Sequence, residues 1–252
     1  MRLEGKVAII SGGGGNIGSA ICRQLAGEGA AVIVGDAYLE GARKCAEHIA
    51  KSGGKAEAAL LNVLEDACVE RVFADITARH GHVDIAVNVA GGSARGRIRP
   101  LYDQSMDVVD EILNINLRGA LLVMRQAAIQ MRKQHSGVII NIASVVGLQG
   151  MAGLVDYAAA KAGLMGATKS LALEMGPLGV RVNCVSPGKV PRPDEDAEKV
   201  RRTNALGAIC SAEDIANMVT YLTTDAADFV TGQNFIVDGG RSLGLYGDTG
   251  RA

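Results

Sequence analysis

The chain lacks a charge excess of either sign, long apolar runs and a leader-like N-terminus, and each shortage excludes a class of protein. Its 26 basic and 27 acidic residues nearly cancel, so no global field would draw it to nucleic acid or an anionic membrane. No apolar run approaches the roughly 20 residues that a membrane span needs. The opening MRLEGKVAII runs into a strand-like segment, which leaves no room for a signal peptide. We therefore expect a cytoplasmic protein of small-molecule chemistry.

Cysteine and histidine are also scarce and poorly spaced. The five cysteines are an odd number without Cys-x-x-Cys spacing, so neither a disulfide framework nor a thiolate metal site is predicted. Among the four histidines, His80 and His82 flank a glycine at a predicted helix end. Two nearby histidines supply too few ligands for a metal ion, and we expect no metal site.

Short apolar runs rich in β-branched residues alternate with longer segments of helical period. This alternation is typical of βα units around a buried parallel sheet. No linker divides the chain, so the predicted fold is α/β: a single doubly wound domain over residues 1–252, with a seven-stranded parallel sheet and helices on both faces. The predicted strands are 7–11, 31–35, 56–61, 83–90, 138–143, 180–185 and 234–237, and the predicted helices lie near 17–28, 39–51, 66–80, 105–134, 156–175 and 212–224.

One irregular stretch, residues 187–211, holds three of the five prolines and a mixed run of charges. A segment of this kind between a strand and a helix is either a substrate-covering loop or a merely solvated one. Its position after the carboxyl end of a strand favours the substrate-covering loop.

The first strand leads into SGGGGNIGSAI, in which Gly12 allows a sharp turn and Gly18 allows the following helix to pack close to the strand. A pyrophosphate would lie at that helix N-terminus, although methyltransferases and plain βα turns also have such glycines. Asp36 ends the second strand, where a carboxylate accepts hydrogen bonds from an adenosine ribose and repels the 2′-phosphate of NADP. The prediction is NAD(H); the alternative role for Asp36 is an N-cap of the next helix.

Tyr157 and Lys161 are four residues apart in a segment of good helix formers, so both side chains project from one helix face. A free tyrosine has a pKa of about 10, too high for a general base near neutral pH. An ammonium roughly 6 Å away would favour the phenolate by about 3 kcal/mol, or about two pKa units. Ser144 follows the apolar strand VIINIA, at the strand end where such folds bind ligands; its alternative role is a turn or cap.

The order and spacing of these motifs resemble the short-chain dehydrogenase/reductase family, in its YxxxK branch, over essentially the whole chain. SGGGGNIG resembles the family's cofactor turn, NVAG its fourth-strand motif, and NINLRG, NIASVVG, YAAAK and VSPG its remaining motifs. The resemblance implies a Rossmann-type NAD(P)-binding domain with oxidoreductase activity on CH–OH groups. It implies catalytic roles for Asn116, Ser144, Tyr157 and Lys161, and cofactor binding by Ser11, Gly12, Asn16, Ile17, Gly18, Asp36, Asn62, Val63, Asn88, Ala90, Gly91, Tyr157, Lys161, Pro187, Gly188 and Val190.

The resemblance also implies how these residues act. Ser144 would hold and polarise the substrate oxygen, and Tyr157 would exchange its proton. Lys161 would bind the nicotinamide ribose and tune the tyrosine, while Asn116 would hold a water that links the lysine to a proton relay. Val190 would face the nicotinamide carboxamide. The family commonly forms homotetramers through its long fourth and fifth helices, and the apolar surface of those segments is suited to this.

Three positions depart from the family pattern. Asn16 replaces the middle glycine of the cofactor turn, and since asparagine tolerates left-handed backbone we expect binding to survive. Asn62, which with Val63 would lie against the adenine, stands where the family usually has aspartate. Arg192 stands where a threonine usually touches the cofactor, and the loop around it is shorter than usual.

Basic residues crowd the loop after the fourth strand. Arg95, Arg97 and Arg99, together with Lys189 and Arg192, could favour an anionic substrate such as a carboxylate or phosphate ester. The alternative is a solvated loop or a subunit contact, with nearby acidic residues neutralising the field.

The leading interpretation is an NAD(H)-dependent oxidoreductase that interconverts a secondary alcohol and a ketone, with Tyr157 as general acid/base. One alternative is an NADPH-dependent reductase of 3-oxoacyl thioesters, against which Asp36 argues. Another is a non-catalytic NAD-binding regulator on the same fold, whose expected signature, the loss of a catalytic residue, is absent. A methyltransferase would have no use for Ser144, Tyr157 and Lys161 together.

Overall fold

The computed structural model describes residues 1–93, 96–191 and 196–243. Within these ranges the seven strands are β1 (Val7–Ser11), β2 (Ala31–Asp36), β3 (Lys55–Leu60), β4 (Ile85–Asn88), β5 (Gly137–Ile142), β6 (Val180–Pro187) and β7 (Asn234–Val237). All pair in parallel, in the order β3-β2-β1-β4-β5-β6-β7. The order reverses between β1 and β4, which is where doubly wound sheets open a ligand crevice at the carboxyl ends of their strands.

Helices cover both faces of the sheet. They are α1 (Asn16–Gly27), α2 (Leu39–Lys51), α3 (Asp66–His80), α4 (Met106–Leu113), α5 (Gly119–Gln134), α6 (Val146–Gln149), α7 (Val155–Met175), α8 (Ala197–Arg201) and α9 (Ala212–Thr223). A π-helical segment, Asn114–Arg118, joins α4 to α5. Within the described ranges, no helix is both long and apolar enough to cross a membrane.

The core consists of two apolar layers, one on each face of the sheet. In β1, Ala8 and Ile10 belong to the layer under α1, α2 and α9, whereas Val7 and Ile9 belong to the layer under α3, α5 and α7. All five residues of β1 are buried. Because both faces are covered, such a strand must be apolar throughout, and each fully buried large aliphatic side chain contributes roughly 1.5–3 kcal/mol.

The structure confirms the predicted fold class, a doubly wound parallel sheet of seven strands within the described residues. Most element bounds agree within two residues, and β4 is shorter than its predicted strand of 83–90. The single predicted helix over 105–134 is wrong, since the π-helical segment interrupts it. The stretch 187–211 contains α8, so it is not irregular throughout, and α6 was absent from the predicted elements.

Candidate active site

The glycine-rich turn after β1 brings the chain sharply into α1. Gly12 has a φ of 71°, a left-handed conformation that favours glycine. A Cβ on Gly18 would overlap the carbonyl oxygen of Gly12 and would lie 2.9 Å from the Cα of Gly13, so only glycine lets α1 approach this closely. The turn thereby places the N-terminus of α1, with its unpaired N–H groups, at the carboxyl edge of the sheet.

Asn16 does not have the left-handed backbone conformation that was expected because it stands in the place of a glycine. It is the first residue of α1, and among the described residues His135 is the one non-glycine residue with a positive φ. The expectation that asparagine is tolerated here for its left-handed backbone is therefore wrong. A right-handed helical residue needs no such tolerance, and Asn16 lines the cleft described below.

Asp36 ends β2 beside this turn. Its Oδ2 accepts a hydrogen bond from the Gly14 N–H at 3.0 Å, and its Oδ1 accepts one from the Tyr38 N–H at 2.9 Å. Helix α2 begins at Leu39 and has no side-chain cap, so the alternative role of Asp36 as an N-cap is wrong. A carboxylate oxygen can accept two hydrogen bonds, so each oxygen of Asp36 can still accept one from a ribose hydroxyl.

A cleft of about 740 Å³ opens at this edge, and its lining joins most of the predicted cofactor residues. It includes Gly12, Asn16, Ile17, Gly18, Asp36, Asn62, Val63, Ala90, Gly91 and Val190. It also includes residues that were not among the predicted cofactor residues, which are Gly15, Ala37, Tyr38, Leu61, Leu64, Val89, Ile115, Lys189 and Pro191. Several of these adjoin a motif residue in the sequence, and adjacency was the one signal that could have found them.

Other predicted cofactor residues lie beneath the cleft instead of on its wall. The Ser11 Oγ, 1% exposed, accepts hydrogen bonds from the backbone N–H groups of Val89 and Ala90 at 3.3 and 3.5 Å. The Asn88 Nδ2 donates to Asn141 Oδ1 at 2.8 Å, between adjacent strands. Both side chains therefore support the loop that forms the wall.

Two more predicted residues, Pro187 and Gly188, lie where β6 ends. Pro187 is the last residue of the strand, and the Gly188 N–H donates to the Val237 carbonyl at 2.9 Å. A Cβ on Gly188 would lie 2.7 Å from the Cβ of Asp238. This close approach fixes the position of the chain that continues to Val190 at the cleft.

Asn116 lies inside the π-helical segment and is fully buried. Its Nδ2 donates to the carbonyls of Gly92 and Ile112, and its Oδ1 accepts from the Gly92 N–H, each at 2.9 Å. The amide therefore bonds both to its own helix, at the Ile112 carbonyl, and to the loop at Gly92. The side chain thus ties the helix to the loop after β4, where a Cβ on Gly91 would overlap Asn116 Oδ1.

Lys161 and Tyr157 face the same side of α7, as their spacing predicts. The Lys161 Nζ is 5.6 Å from the centre of the Tyr157 ring and donates to the Ile142 carbonyl at 2.8 Å. Burial lowers the pKa of Lys161 from 10.5 to about 8, although Cys184 acts to raise it. The Tyr157 ring packs against Val108 and Ile112 of α4. A cation at this distance favours the phenolate form of the tyrosine.

Ser144 lies two residues beyond the end of β5 and is 8% exposed. Its Oγ accepts a hydrogen bond from the Val146 N–H at 3.2 Å, so it does serve the turn that begins α6. That bond uses the oxygen as an acceptor, which leaves the hydroxyl proton to donate. A Cβ on Gly147 would lie 2.8 Å from the backbone of Lys161 and Ala162, so α6 is held tightly against the helix that carries the lysine.

One of the basic residues in the loop after β4 is paired with a carboxylate. Arg97 forms two hydrogen bonds with Glu111, at 2.9 and 2.7 Å, which neutralise its charge locally. Arg95 and Arg192 lie outside the described residues. Among the described residues, no group of three histidine, cysteine, aspartate or glutamate side chains is arranged to hold a metal ion.

A doubly wound parallel sheet with a glycine-rich cleft at its switch point is the arrangement of an oxidoreductase that binds a nicotinamide dinucleotide. A Cβ on Gly91, which lines the cleft, would lie 3.5 Å from the Lys161 Nζ. The family model that matches, over residues 13–242, is described as enoyl-(acyl carrier protein) reductase. The chain belongs to the short-chain dehydrogenase/reductase family.

Named relatives cover nearly the whole chain. A 3-oxoacyl-(acyl-carrier-protein) reductase of Thermotoga maritima is 35% identical over 95% of this chain and 99% of its own length. A 3-alpha-(or 20-beta)-hydroxysteroid dehydrogenase of Mycobacterium bovis is 36% identical over 97% and 92%.

Solved structures agree on the fold. The chain is similar to one titled as a ribose-5-phosphate isomerase from Brucella melitensis, with 38% identity, a TM-score of 0.88 and coverage of 95% and 93%. It is also similar to an NAD⁺-bound xylitol dehydrogenase, with 26% identity, a TM-score of 0.90 and coverage of 95% and 100%.

Proposed function

We propose that the protein is an NAD(H)-dependent oxidoreductase that interconverts a secondary alcohol and a ketone, with Tyr157 as its general acid/base. The observation that carries this proposal is the buried ammonium of Lys161, 5.6 Å from the Tyr157 ring. An ammonium is buried at a desolvation cost, and this one lies beside a phenol, where a positive charge favours the phenolate form that a general base requires.

The bound dinucleotide would supply the hydride acceptor for oxidation and the donor for reduction. In oxidation, the Ser144 hydroxyl donates a hydrogen bond to the substrate oxygen. The Tyr157 Oη, as the phenolate that the Lys161 ammonium stabilises, takes the proton of the alcohol. In reduction the same tyrosine returns a proton to the alkoxide. Asn116 keeps the loop after β4 in place, with capacity on its Oδ1 for one further hydrogen bond.

Asp36 supports NAD(H) over NADP(H). Its carboxylate lies in the cleft lining next to Ala37 and Tyr38. A 2′-phosphate there would meet a negative charge. The one basic residue in the lining, within the described part of the chain, is Lys189, which adjoins Val190 at the end proposed for the nicotinamide. The residues present therefore fit a dinucleotide with a free ribose 2′-hydroxyl.

A second candidate is the NADPH-dependent reduction of a 3-oxoacyl thioester. The names of the relatives from Thermotoga maritima and Aquifex aeolicus, the latter 37% identical, favour it. It uses the same Tyr157 and Lys161, so the two candidates differ in cofactor and substrate. Asp36 opposes the NADPH part of this candidate.

We also propose a cytoplasmic homotetramer. A groove of about 640 Å³ between α5 and α7 is lined largely by apolar side chains such as Leu121, Ala128 and Leu171, with Arg125 and Glu174 among the charged ones. Apolar helix faces of this kind are suited to contacts between subunits.

The test is NADH formation, followed by its absorbance, across hydroxy acids, polyols, steroids and aliphatic alcohols, with NADP run in parallel. We expect turnover with NAD and a fall of about 10²–10⁴-fold in kcat for Tyr157→Phe. The matched control is Tyr102→Phe, which changes a tyrosine that is 86% exposed.

Two outcomes would contradict the proposal. Undiminished turnover in Tyr157→Phe would refute the role of the tyrosine. Preference for NADPH together with reduction of 3-oxoacyl thioesters would establish the second candidate. We expect Asp36→Ala to lower the ratio of kcat/KM with NAD to kcat/KM with NADP by about tenfold, or ~1.4 kcal/mol, because it removes the repulsion of the 2′-phosphate.

A further inference from the structure

Two cysteines meet behind the glycine-rich turn, on helices that are far apart in sequence. Cys22 lies on α1 and is 0% exposed, and Cys45 lies on α2 and is 7% exposed. The Cys45 Sγ is 4.0 Å from the carbonyl oxygen of Ser19. Ser19 is one helical turn before Cys22, and helical side chains lean toward the preceding turn, so both thiols converge on the same point.

The backbone around the two thiols is tightly packed. A Cβ on Gly13 would lie 3.2 Å from the Cys22 Sγ. A Cβ on Gly14 would lie 2.8 Å from the backbone of Gly41, one turn before Cys45. Gly13 and Gly14 belong to the cofactor turn, but the lining of the cleft passes through Gly12 and Gly15. The thiols therefore lie on the far side of the turn from the dinucleotide.

The pKa values of the two thiols are shifted in opposite directions. A hydrogen bond with Cys22 lowers the pKa of Cys45; burial opposes this shift, and the positive charge of Arg23 adds to it. Burial raises the pKa of Cys22 well above its ordinary value, and the interaction with Cys45 raises it further. A thiolate is the form that attacks oxidants, so Cys45 is the expected nucleophile and Cys22 the thiol that resolves it.

The other cysteines make different contacts. The Cys68 Sγ donates to the Leu60 carbonyl at 3.5 Å, and the Cys210 Sγ donates to the Ser211 carbonyl at 3.7 Å. Cys184 packs with Ala143. These three residues therefore serve as internal controls for a reaction confined to one pair.

We propose that Cys22 and Cys45 form a reversible disulfide when the protein meets a peroxide, and that this bond weakens binding of the dinucleotide. The bond itself is independent of the proposed function, whereas its effect on binding rests on the cleft that the proposed function uses.

The reaction balances with hydrogen peroxide as the oxidant. The Cys45 thiolate attacks one peroxide oxygen, the O–O bond breaks, and the leaving hydroxide takes a proton to become water. The sulfur is then a sulfenic acid. Cys22 loses its proton and attacks that sulfur, an S–S bond forms, and the second hydroxide leaves as water. Two thiols lose two electrons and two protons, and one peroxide is reduced to two waters.

The bond would alter the cofactor turn mechanically. An S–S bond of about 2.0 Å is shorter than any non-bonded contact of two sulfurs, so closing it draws α1 and α2 together. The Cys22 sulfur would move relative to Gly13, which it closely approaches, and the close packing of Gly14 against Gly41 would pass the movement of α2 to the turn. We expect the turn to shift and the Kd for NAD to rise about tenfold, which is ~1.4 kcal/mol.

The chemical test uses the full-length reduced protein exposed to hydrogen peroxide and then blocked with N-ethylmaleimide. We expect titration of the denatured protein to show two thiols fewer than the five in the sequence. A non-reducing tryptic digest should contain VAIISGGGGNIGSAICR linked to CAEHIAK, since cleavage follows Arg23 and Lys44. Retention of all five thiols, or a disulfide that joins any other pair, would overturn the proposal.

Variants distinguish a disulfide specific to Cys22 and Cys45 from unspecific oxidation of the cysteines. Cys22→Ser should leave a sulfenic acid on Cys45 that dimedone traps, and Cys45→Ser should form no disulfide. Cys210→Ser, which changes the most exposed of the five thiols, should behave as the wild type does. The linked peptide in the wild type needs no variant, so the test survives if a variant folds poorly.

The binding test measures the Kd for NAD before peroxide, after peroxide and after dithiothreitol. The expected result is a rise that dithiothreitol reverses and that Cys45→Ser abolishes. A linked peptide with an unchanged Kd would refute the effect on binding. Failure of the reduced protein to bind NAD or NADP would instead count against the proposed function.

Discussion

Replacing Lys161 by methionine should stabilise the protein without dinucleotide while it removes activity. Burial lowers the pKa of Lys161 from 10.5 to about 8. That difference corresponds to about 3 kcal/mol at roughly 1.4 kcal/mol per pH unit. Below about pH 8 the lysine is protonated in both the folded and the unfolded chain, so the folded chain bears this cost in full. Loss of the hydrogen bond to the Ile142 carbonyl costs about 1 kcal/mol in return, which leaves a net gain of about 2 kcal/mol.

The pH dependence follows from the same difference. Between about pH 8 and 10.5 the unfolded chain binds more protons at this position than the folded chain does, so wild-type stability rises with pH through this window. The methionine variant lacks that rise. The free energy of unfolding of Lys161→Met should therefore exceed that of the wild type at pH ~7, and this difference should decrease by about 3 kcal/mol as the pH passes about 10.5.

Urea unfolding of both proteins at several pH values, without dinucleotide, measures the gap between their free energies of unfolding. The control is Lys169→Met, which replaces an exposed lysine on the same helix. A gap that is constant with pH would refute the reasoning, and so would a Lys161→Met variant that is less stable than wild type near pH 7. Turnover by the variant should be lost, since the cation that tunes Tyr157 is gone.

Two further predictions concern packing and acid stability. Gly18→Ala should destabilise the fold by roughly 1–3 kcal/mol and weaken NAD binding, because its Cβ would overlap the Gly12 carbonyl oxygen. Gly27→Ala on the same helix meets no atom within 4 Å and should stabilise by about 0.5–1 kcal/mol in urea unfolding; equal effects of the two changes would contradict the packing argument. Burial acts to raise the pKa of Glu57, but hydrogen bonds from Arg79 and His80 outweigh it and lower that pKa below 4.5. The wild type should therefore lose part of its advantage in Tm over Glu57→Gln as the pH falls through and below about 4.5, and an unchanged difference would argue against this ion pair.

The fold was predictable because its sheet is buried on both faces. Strands covered on both faces need contiguous apolar residues, and that pattern is visible in the central strands, such as β1 and β5. The edge strand β3, KAEAAL, is only partly buried and shows the pattern less clearly. The break between α4 and α5 was not predictable from period alone. It coincides with Asn116, whose side chain bonds to the backbone of Gly92, 24 residues earlier in the sequence.

The candidate site was predictable where its chemistry is local. The four-residue spacing of Tyr157 and Lys161 fixes a shared helix face, and the structure gives 5.6 Å from Nζ to the ring centre where the sequence suggested roughly 6 Å. Features that depend on tertiary pairing were missed. Arg97 is neutralised by Glu111, fourteen residues away, and the interaction of two cysteines on different helices leaves no trace in spacing.

The π-helical segment Asn114–Arg118 constrains how the chain can gain or lose residues during evolution. A turn with i→i+5 bonds holds one residue more than the α-helical ladder would. Losing one residue at the start of α5 itself, where no such turn absorbs the change, would rotate the rest of that helix by about 100° about its axis. Val123 and Met131, both fully buried, would then leave the core. Insertions and deletions should therefore be tolerated in exposed turns and excluded from α5, whereas the π-helical segment is the point at which the helix accommodates an extra residue.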